Sequence, residues 1–241
     1  MAEGFFAYDW HMDGAPAKFQ VDMELDEGLL SERPYLLYVQ GKSRVGDLGG
    51  RELKKLAALE KKCRKAIDGL YAGSIQDAAR QVFFFYTDTE EALEAARDVA
   101  ARERALACTA GLREEPGRET YHKLLYPDAA RLFTEQNRKQ ILLLQKRGDA
   151  LTPARRITLH AFFPAEPLAG LFAEGARQAG FAVGEYAYAP EQDLPYGVSL
   201  YRISTLDKPA VDEMTTQAVR LAARYDGVLS YWNCPITGKL V

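Results

Sequence analysis

The chain has 241 residues, 47% hydrophobic and 27% charged, an ordinary globular composition that excludes a disordered or fibrous protein. Its formal net charge of -3 argues against a chain dominated by nucleic-acid binding, and no apolar run approaches the roughly 20 residues of a membrane helix. Cys63, Cys108 and Cys234 lie far apart with no Cys-x-x-Cys pair, the pattern of buried thiols in a reducing cytoplasm; Asp9 and Asp13 oppose a signal peptide at Met1–Trp10. In chain order, Phe5–Tyr8 and Phe19–Leu25 read as short strands, the second alternating Phe19, Val21, Met23 and Leu25 with polar residues, and Gly14 and Pro16 mark the turn between them. Pro34–Val39 is an apolar run of strand length, and Lys42–Gly50 reads as a glycine-bearing loop. A helix follows over Arg51–Tyr71, with Leu53, Leu56, Cys63, Ile67 and Leu70 on one face, basic residues on the other and Gly73 as its stop.

Ser74–Asp77 and the phenylalanine-rich Gln81–Tyr86 read as strands. Asp88 or Thr89 caps a helix to about Leu106, Ala107–Leu112 is a strand, Glu114–Arg118 a turn, and Tyr121–Tyr126 a further strand stopped by Pro127. Asp128 caps a long helix through Lys146, ended by Gly148. Then come a strand (Arg156–Phe163), a helix (Pro167–Ala179, stopped by Gly180), strands at Phe181–Tyr188 and Gly197–Ser204 around the loop Pro190–Pro195, a helix from Asp207 to about Tyr225, and a last strand, Val228–Cys234.

The spans 34–112 and 156–234, 79 residues each, share one element order: strand, helix, strand, strand, helix, strand. That order predicts an α+β protein of two tandem ferredoxin-like units with an added N-terminal hairpin. The expected division is 1–127, a linking helix at 128–148, and 149–241. Charge is uneven. Residues 1–50 carry 4 basic and 9 acidic groups, and residues 51–149 carry 19 and 16. The basic runs Arg51–Lys65 and Arg131–Arg156 lie on helix-like patterns, where a solvated face is the default and contact with an acidic partner or RNA backbone the sharper alternative.

Catalytic and cofactor motifs are wanting. Gly41-Lys42-Ser43 lacks the earlier glycine of a phosphate-binding loop, because position 36 is Leu36. The histidines His11, His122 and His160 have no ligand-spaced neighbour, so no metal and no cofactor is expected. His160 alternates with Leu159 and Ala161, so its ring should leave the core side of its strand and is a candidate for partner contact. Tyr225, Asp226, Tyr231 and Trp232 cluster near the end as further candidates, since Tyr and Trp are frequent interface anchors.

Lys146-Arg147-Gly148-Asp149, the strand Arg155–Phe163 with His160, Ala179-Gly180-Phe181 and the segment around Trp232 resemble the RraB family over about residues 131–236. In that family's usual C-terminal stretch, Gly227 and Trp232 fit, while Leu229-Ser230-Tyr231 departs from the pattern. The resemblance implies a regulator that binds and inhibits ribonuclease E. The front half, about 10–127, resembles the uncharacterised family called domain of unknown function 695, on its acidic two-strand opening, Leu59-Glu60, Phe83–Tyr86 and Tyr121–Pro127. The leading expectation is a cytoplasmic, non-enzymatic protein that binds a protein partner such as a ribonuclease, without sequence-specific nucleic-acid binding and without a membrane. A small-molecule sensor with a site at the domain junction and an enzyme assembled across both halves are the alternatives.

Overall fold

The computed structural model describes residues 5–237. The chain divides into two compact units, Met1–Pro127 and Asp128–Val241. The first carries β1 (Phe5–Met12), β2 (Ala15–Asp22), a short α1 (Glu27–Ser31), β3 (Tyr35–Lys42), α2 (Gly50–Ala66), β4 (Leu70–Gln76), β5 (Arg80–Thr87), α3 (Ala92–Arg102) and β6 (Ala107–Glu114). Its six strands form one sheet in the order β1-β2-β4-β5-β3-β6, every pairing antiparallel. Counted from β3, the last four strands stand in the 2-3-1-4 order of a ferredoxin-like sheet, and the β1–β2 hairpin extends it beyond β4. The hairpin turns on Asp13 (φ 53°) and Gly14 (φ 80°), two left-handed residues that match the twist of the flanking strands.

Both faces of this sheet are covered. On one, Leu37, Val39, Phe83 and Phe85 pack against Leu56, Leu59 and Cys63 of α2 and Ala92 and Ala96 of α3. On the other, Tyr8, Phe19, Leu36, Ile75 and Tyr86 pack against Leu30 of α1 and against Tyr121 and Leu125. Tyr121 and Leu125 belong to a π-helical turn, Thr120–Leu125, in place of the expected strand Tyr121–Tyr126. The turn replaces the strand because buried Glu115 captures its start. The Glu115 carboxylate accepts from the Thr120 amide (3.0 Å), the Thr120 hydroxyl (2.8 Å), Arg113 (2.6 Å) and the Tyr86 hydroxyl (2.6 Å). Burial pushes the carboxyl upward, and those four donors outweigh it and hold Glu115 below its ordinary value.

Two further differences from the expectation lie at the end of α2. The helix stops at Ala66 rather than Tyr71, and Leu70–Gln76 is strand. Gly73 is not a helix stop. It has φ 146° at a register shift of β4, where a Cβ would lie 2.1 Å from the Gln20 carbonyl oxygen, so this bulge requires glycine.

The second unit carries α4 (Ala129–Lys146), β7 (Arg155–Phe163), α5 (Glu166–Gln178), β8 (Ala182–Tyr188), β9 (Tyr196–Ser204), α6 (Lys208–Ala223) and β10 (Val228–Asn233). Asp128 and Asp207 cap α4 and α6 by accepting from the amides of Arg131 and Ala210, as the sequence indicates. The sheet order β10-β7-β9-β8, all antiparallel, is again the ferredoxin-like arrangement. Helices α5 and α6 cover one face, where Ile157, Leu159, Ala161 and Phe163 of β7 meet Phe172, Ala176, Val211, Met214 and Ala218. Helix α4, expected between the units, belongs to the second: Phe133 and Leu144 join that core, and Asn137 bonds to α6. Among the described residues, no helix is long and apolar enough to cross a membrane.

Candidate functional site: the uncovered face of the second sheet

The two sheets share a topology and differ in what covers them. In the first unit, α1 and the π-helical turn lie on the face opposite α2 and α3. In the second, Arg156, Thr158, His160 and Phe162 alternate with the buried residues of β7 and leave the core side, while the core lies wholly toward α4, α5 and α6. Across the ladder, Thr158 stands opposite Tyr201 and His160 opposite both Ser199 and Tyr231.

Two ring contacts organise this face. His160 stacks on Tyr231 at 4.4 Å between centroids and 16° between planes. Arg156 lies over Tyr201, its guanidinium carbon 3.8 Å from the ring centroid. Tyr231 remains 48% exposed and Ile203 63% exposed, so the stack and its flank present apolar surface to solvent. His160 Nε2 is 3.1 Å from Asn233 Nδ2, a bond in which neutral imidazole accepts from the amide. Burial holds His160 below its ordinary pKa, with the Glu185 charge opposing, so the ring is neutral at neutral pH. Ser199 Oγ accepts from the Glu185 amide (2.7 Å) and donates to the Glu185 carbonyl (3.2 Å), tying down the bulge of β8 between Val183 and Tyr186.

The other candidates fall elsewhere. Trp232 points into the core, 5% exposed, and its indole N–H donates to Asn137 Oδ1 at 2.7 Å. Asn137 in turn donates to Thr215 (2.7 Å) and Asp212 (2.9 Å) of α6, so the chain Trp232–Asn137–Thr215 binds β10, α4 and α6 together. Tyr225 packs half-buried against the same core at the end of α6. Asp226 takes a left-handed conformation (φ 54°), and a Cβ on Gly227 would lie 2.1 Å from the Phe163 ring. Tyr225-Asp226-Gly227 is therefore the turn that ends α6 and brings β10 against β7.

Asp149 and Arg155 form a buried ion pair at 2.6 Å, their side chains 0% and 4% exposed. Asp149 also accepts from the amides of Leu151 (2.7 Å) and Thr237 (2.9 Å), and Arg155 donates to the carbonyls of Pro153 and Pro235 (both 3.1 Å). Burial pushes the Asp149 carboxyl up; Arg155 and the two amides outweigh that and hold it low. The pair clasps the segment after β10 to the loop before β7. Both residues belong to the RraB-like signature, but nothing local in the sequence shows their pairing, since the five intervening residues 150–154 form a loop and only the folded strand edge creates the contact. Among the described residues, no group of three or more His, Cys, Asp or Glu is placed to hold a metal ion. In the first unit a groove of about 750 Å³ beside the hairpin is lined by Trp10, Met12, Asp13, Lys18, Asp77 and Arg80.

Residues 134–234 match the model of the RraB family, described as regulator of ribonuclease activity B. The RraB match covers the body of α4 and the whole βαββαβ repeat, including both ring contacts, the Trp232–Asn137 bond and Arg155 of the clasp. It leaves the first unit outside. No curated protein matches the chain. Among solved structures, the chain is similar to an unknown protein from Galdieria sulphuraria, at 10% identity over 85% of this chain and 99% of that chain with a TM-score of 0.25. It is similar also to a putative glycine cleavage system transcriptional repressor, at 9% identity over 84% and 98% of the two chains with a TM-score of 0.26.

Proposed function

We propose that this protein is a non-enzymatic regulator whose RraB-like unit binds a ribonuclease of the ribonuclease E type through the uncovered face of its sheet. The observation that carries the reading is the RraB match over a unit whose own described helices all pack on one face of its sheet, while the sheet of the other unit has described elements of that unit on both faces. The exposed Tyr231–His160 stack supplies a rigid apolar anchor, since Tyr presents large contact area at small entropic cost. Arg156, preoriented by Tyr201, supplies a guanidinium edge for a carboxylate of the partner.

Binding of this kind acts by occupancy and needs no reacting group. Tyr231, His160, Arg156 and Tyr201 hold no nucleophile–base pair among them and are suited to contact alone. The test is to titrate the protein into ribonuclease E cutting a labelled RNA. The reading predicts that cleavage falls saturably with the protein, in step with complex formation by light scattering. An unaltered cleavage rate with no complex formed would overturn it.

A further inference from the structure

The outer face of α2 in the first unit is one uninterrupted basic stripe. At 100° per residue, Arg51, Lys54, Lys55, Lys61, Lys62 and Lys65 fall within about 120° of arc, with only the small Ala58 among them. The opposite side carries Leu56, Leu59 and Cys63 into the core. The stripe runs over 14 residue steps, about 21 Å. All six cations are exposed. Among the described residues the ion pair touching the stripe is Lys62–Glu103, a loose one at 4.0 Å; Arg51, Lys54, Lys55, Lys61 and Lys65 are in no ion pair. Arg64, by contrast, folds over the Phe5 and Tyr71 rings and pairs with Glu60, away from the stripe. Glu52 is turned back to the Gly49 amide at the start of the helix. In a chain of net charge -3, this concentration of unpaired cations on one line is a local reversal of sign.

We propose that the outer face of α2 binds the phosphate backbone of an RNA strand, without reading its bases. A line of about 21 Å matches roughly six phosphates at a rise of about 3.4 Å per nucleotide in a stacked strand. Long, mobile lysines contact phosphates as point charges and need no fixed fork geometry. The stripe bears no aromatic ring, so it has neither the stacking platform of base recognition nor the anchor of a protein hot spot. A membrane surface fits less well: an interfacial helix lays its apolar face into the lipid, and here that face is the core of the unit. This inference is independent of the ribonuclease reading, which concerns the other unit.

The experiment is fluorescence anisotropy of a labelled oligouridylate of about 12 nucleotides with the full chain and no ribonuclease, over a salt series from about 50 mM. With five cations engaged, log K falls against log salt with a slope of about -3.5. Neutralising three, Lys54→Gln, Lys61→Gln and Lys65→Gln together, brings the slope to about -1.4 and weakens binding at least tenfold at low salt. The control Lys139→Gln with Lys146→Gln, on α4, leaves both unchanged. The proposal is overturned if the wild-type chain does not bind RNA at low salt, if the triple variant binds as wild type, or if both variants lose binding equally. Binding to phosphatidylserine vesicles in place of RNA overturns it too.

Discussion

Removing the Asp149 carboxylate unmakes the most buried charge pair of the second unit. Asp149→Ala deletes three accepted hydrogen bonds, of 2.6, 2.7 and 2.9 Å, and leaves Arg155 charged at 4% exposure with only two backbone carbonyls as acceptors. Breaking a buried pair from one side costs about 3–5 kcal/mol, because the partner charge stays desolvated. Urea unfolding followed by Trp232 fluorescence in a Trp10→Phe background reads this unit. With a urea slope of about 1.5 kcal/mol per M, the midpoint falls by about 2–3 M. The double change Asp149→Leu with Arg155→Met removes both charges and recovers at least half of the loss. The pH dependence has a definite sign. Asp149 is held below its ordinary value in the folded chain, so its contribution is complete above the unfolded carboxyl value of about 3.9 and is lost as pH falls through the folded one. The wild-type midpoint therefore drops on acidification below about pH 4, and the Asp149→Ala midpoint drops less steeply. A loss under about 1 kcal/mol, or a double variant as weak as the single one, would refute the reasoning.

Tyr86→Phe takes a donor from buried Glu115 and an acceptor from the Tyr121 amide, and should cost the first unit about 1–3 kcal/mol by denaturant melt, with faster hydrogen exchange at Thr120–Leu125. Gly227→Ala places a methyl 2.1 Å from the Phe163 ring and should destabilise the second unit by about 1–3 kcal/mol; an unchanged melt would show that β10 has room to shift. Trp232→Phe leaves Asn137 Oδ1 without its donor in the core and should cost about 1–3 kcal/mol of stability, while leaving ribonuclease affinity of the folded protein unchanged in titration calorimetry.

Much of this architecture can be read from the sequence, because both repeats are carried by local signals. Asp128 and Asp207 cap, Gly148 and Gly180 stop, and Leu159–His160–Ala161 alternates, each within a few residues of the feature it sets. The misreadings sit where distant residues decide. Tyr121–Tyr126 reads as a short strand stopped by Pro127, yet Glu115 and Tyr86 draw it into a π-helical turn. Gly73 looks like a helix stop because Ile67 and Leu70 continue the apolar spacing of α2; pairing with β5 makes the same glycine a bulge, and β2 approaches it too closely for a side chain. At the site, alternation placed His160 on the open face, but its stacking with Tyr231 depends on the β10 register, which shifts between Leu229 and Tyr231. That same shift sends the adjacent Trp232 inward to Asn137, a residue 95 positions away with no local sign of the contact.

The proposed ribonuclease contact is the face formed by Arg156, His160, Tyr201 and Tyr231. The direct measurement is titration calorimetry of ribonuclease E with wild-type protein, with Tyr231→Ala and with His160→Ala. Truncating a central anchor costs about 2 kcal/mol or more, so the account predicts affinity lower by about thirtyfold in Tyr231→Ala with the urea midpoint nearly unmoved. Wild-type affinity in both variants would contradict it.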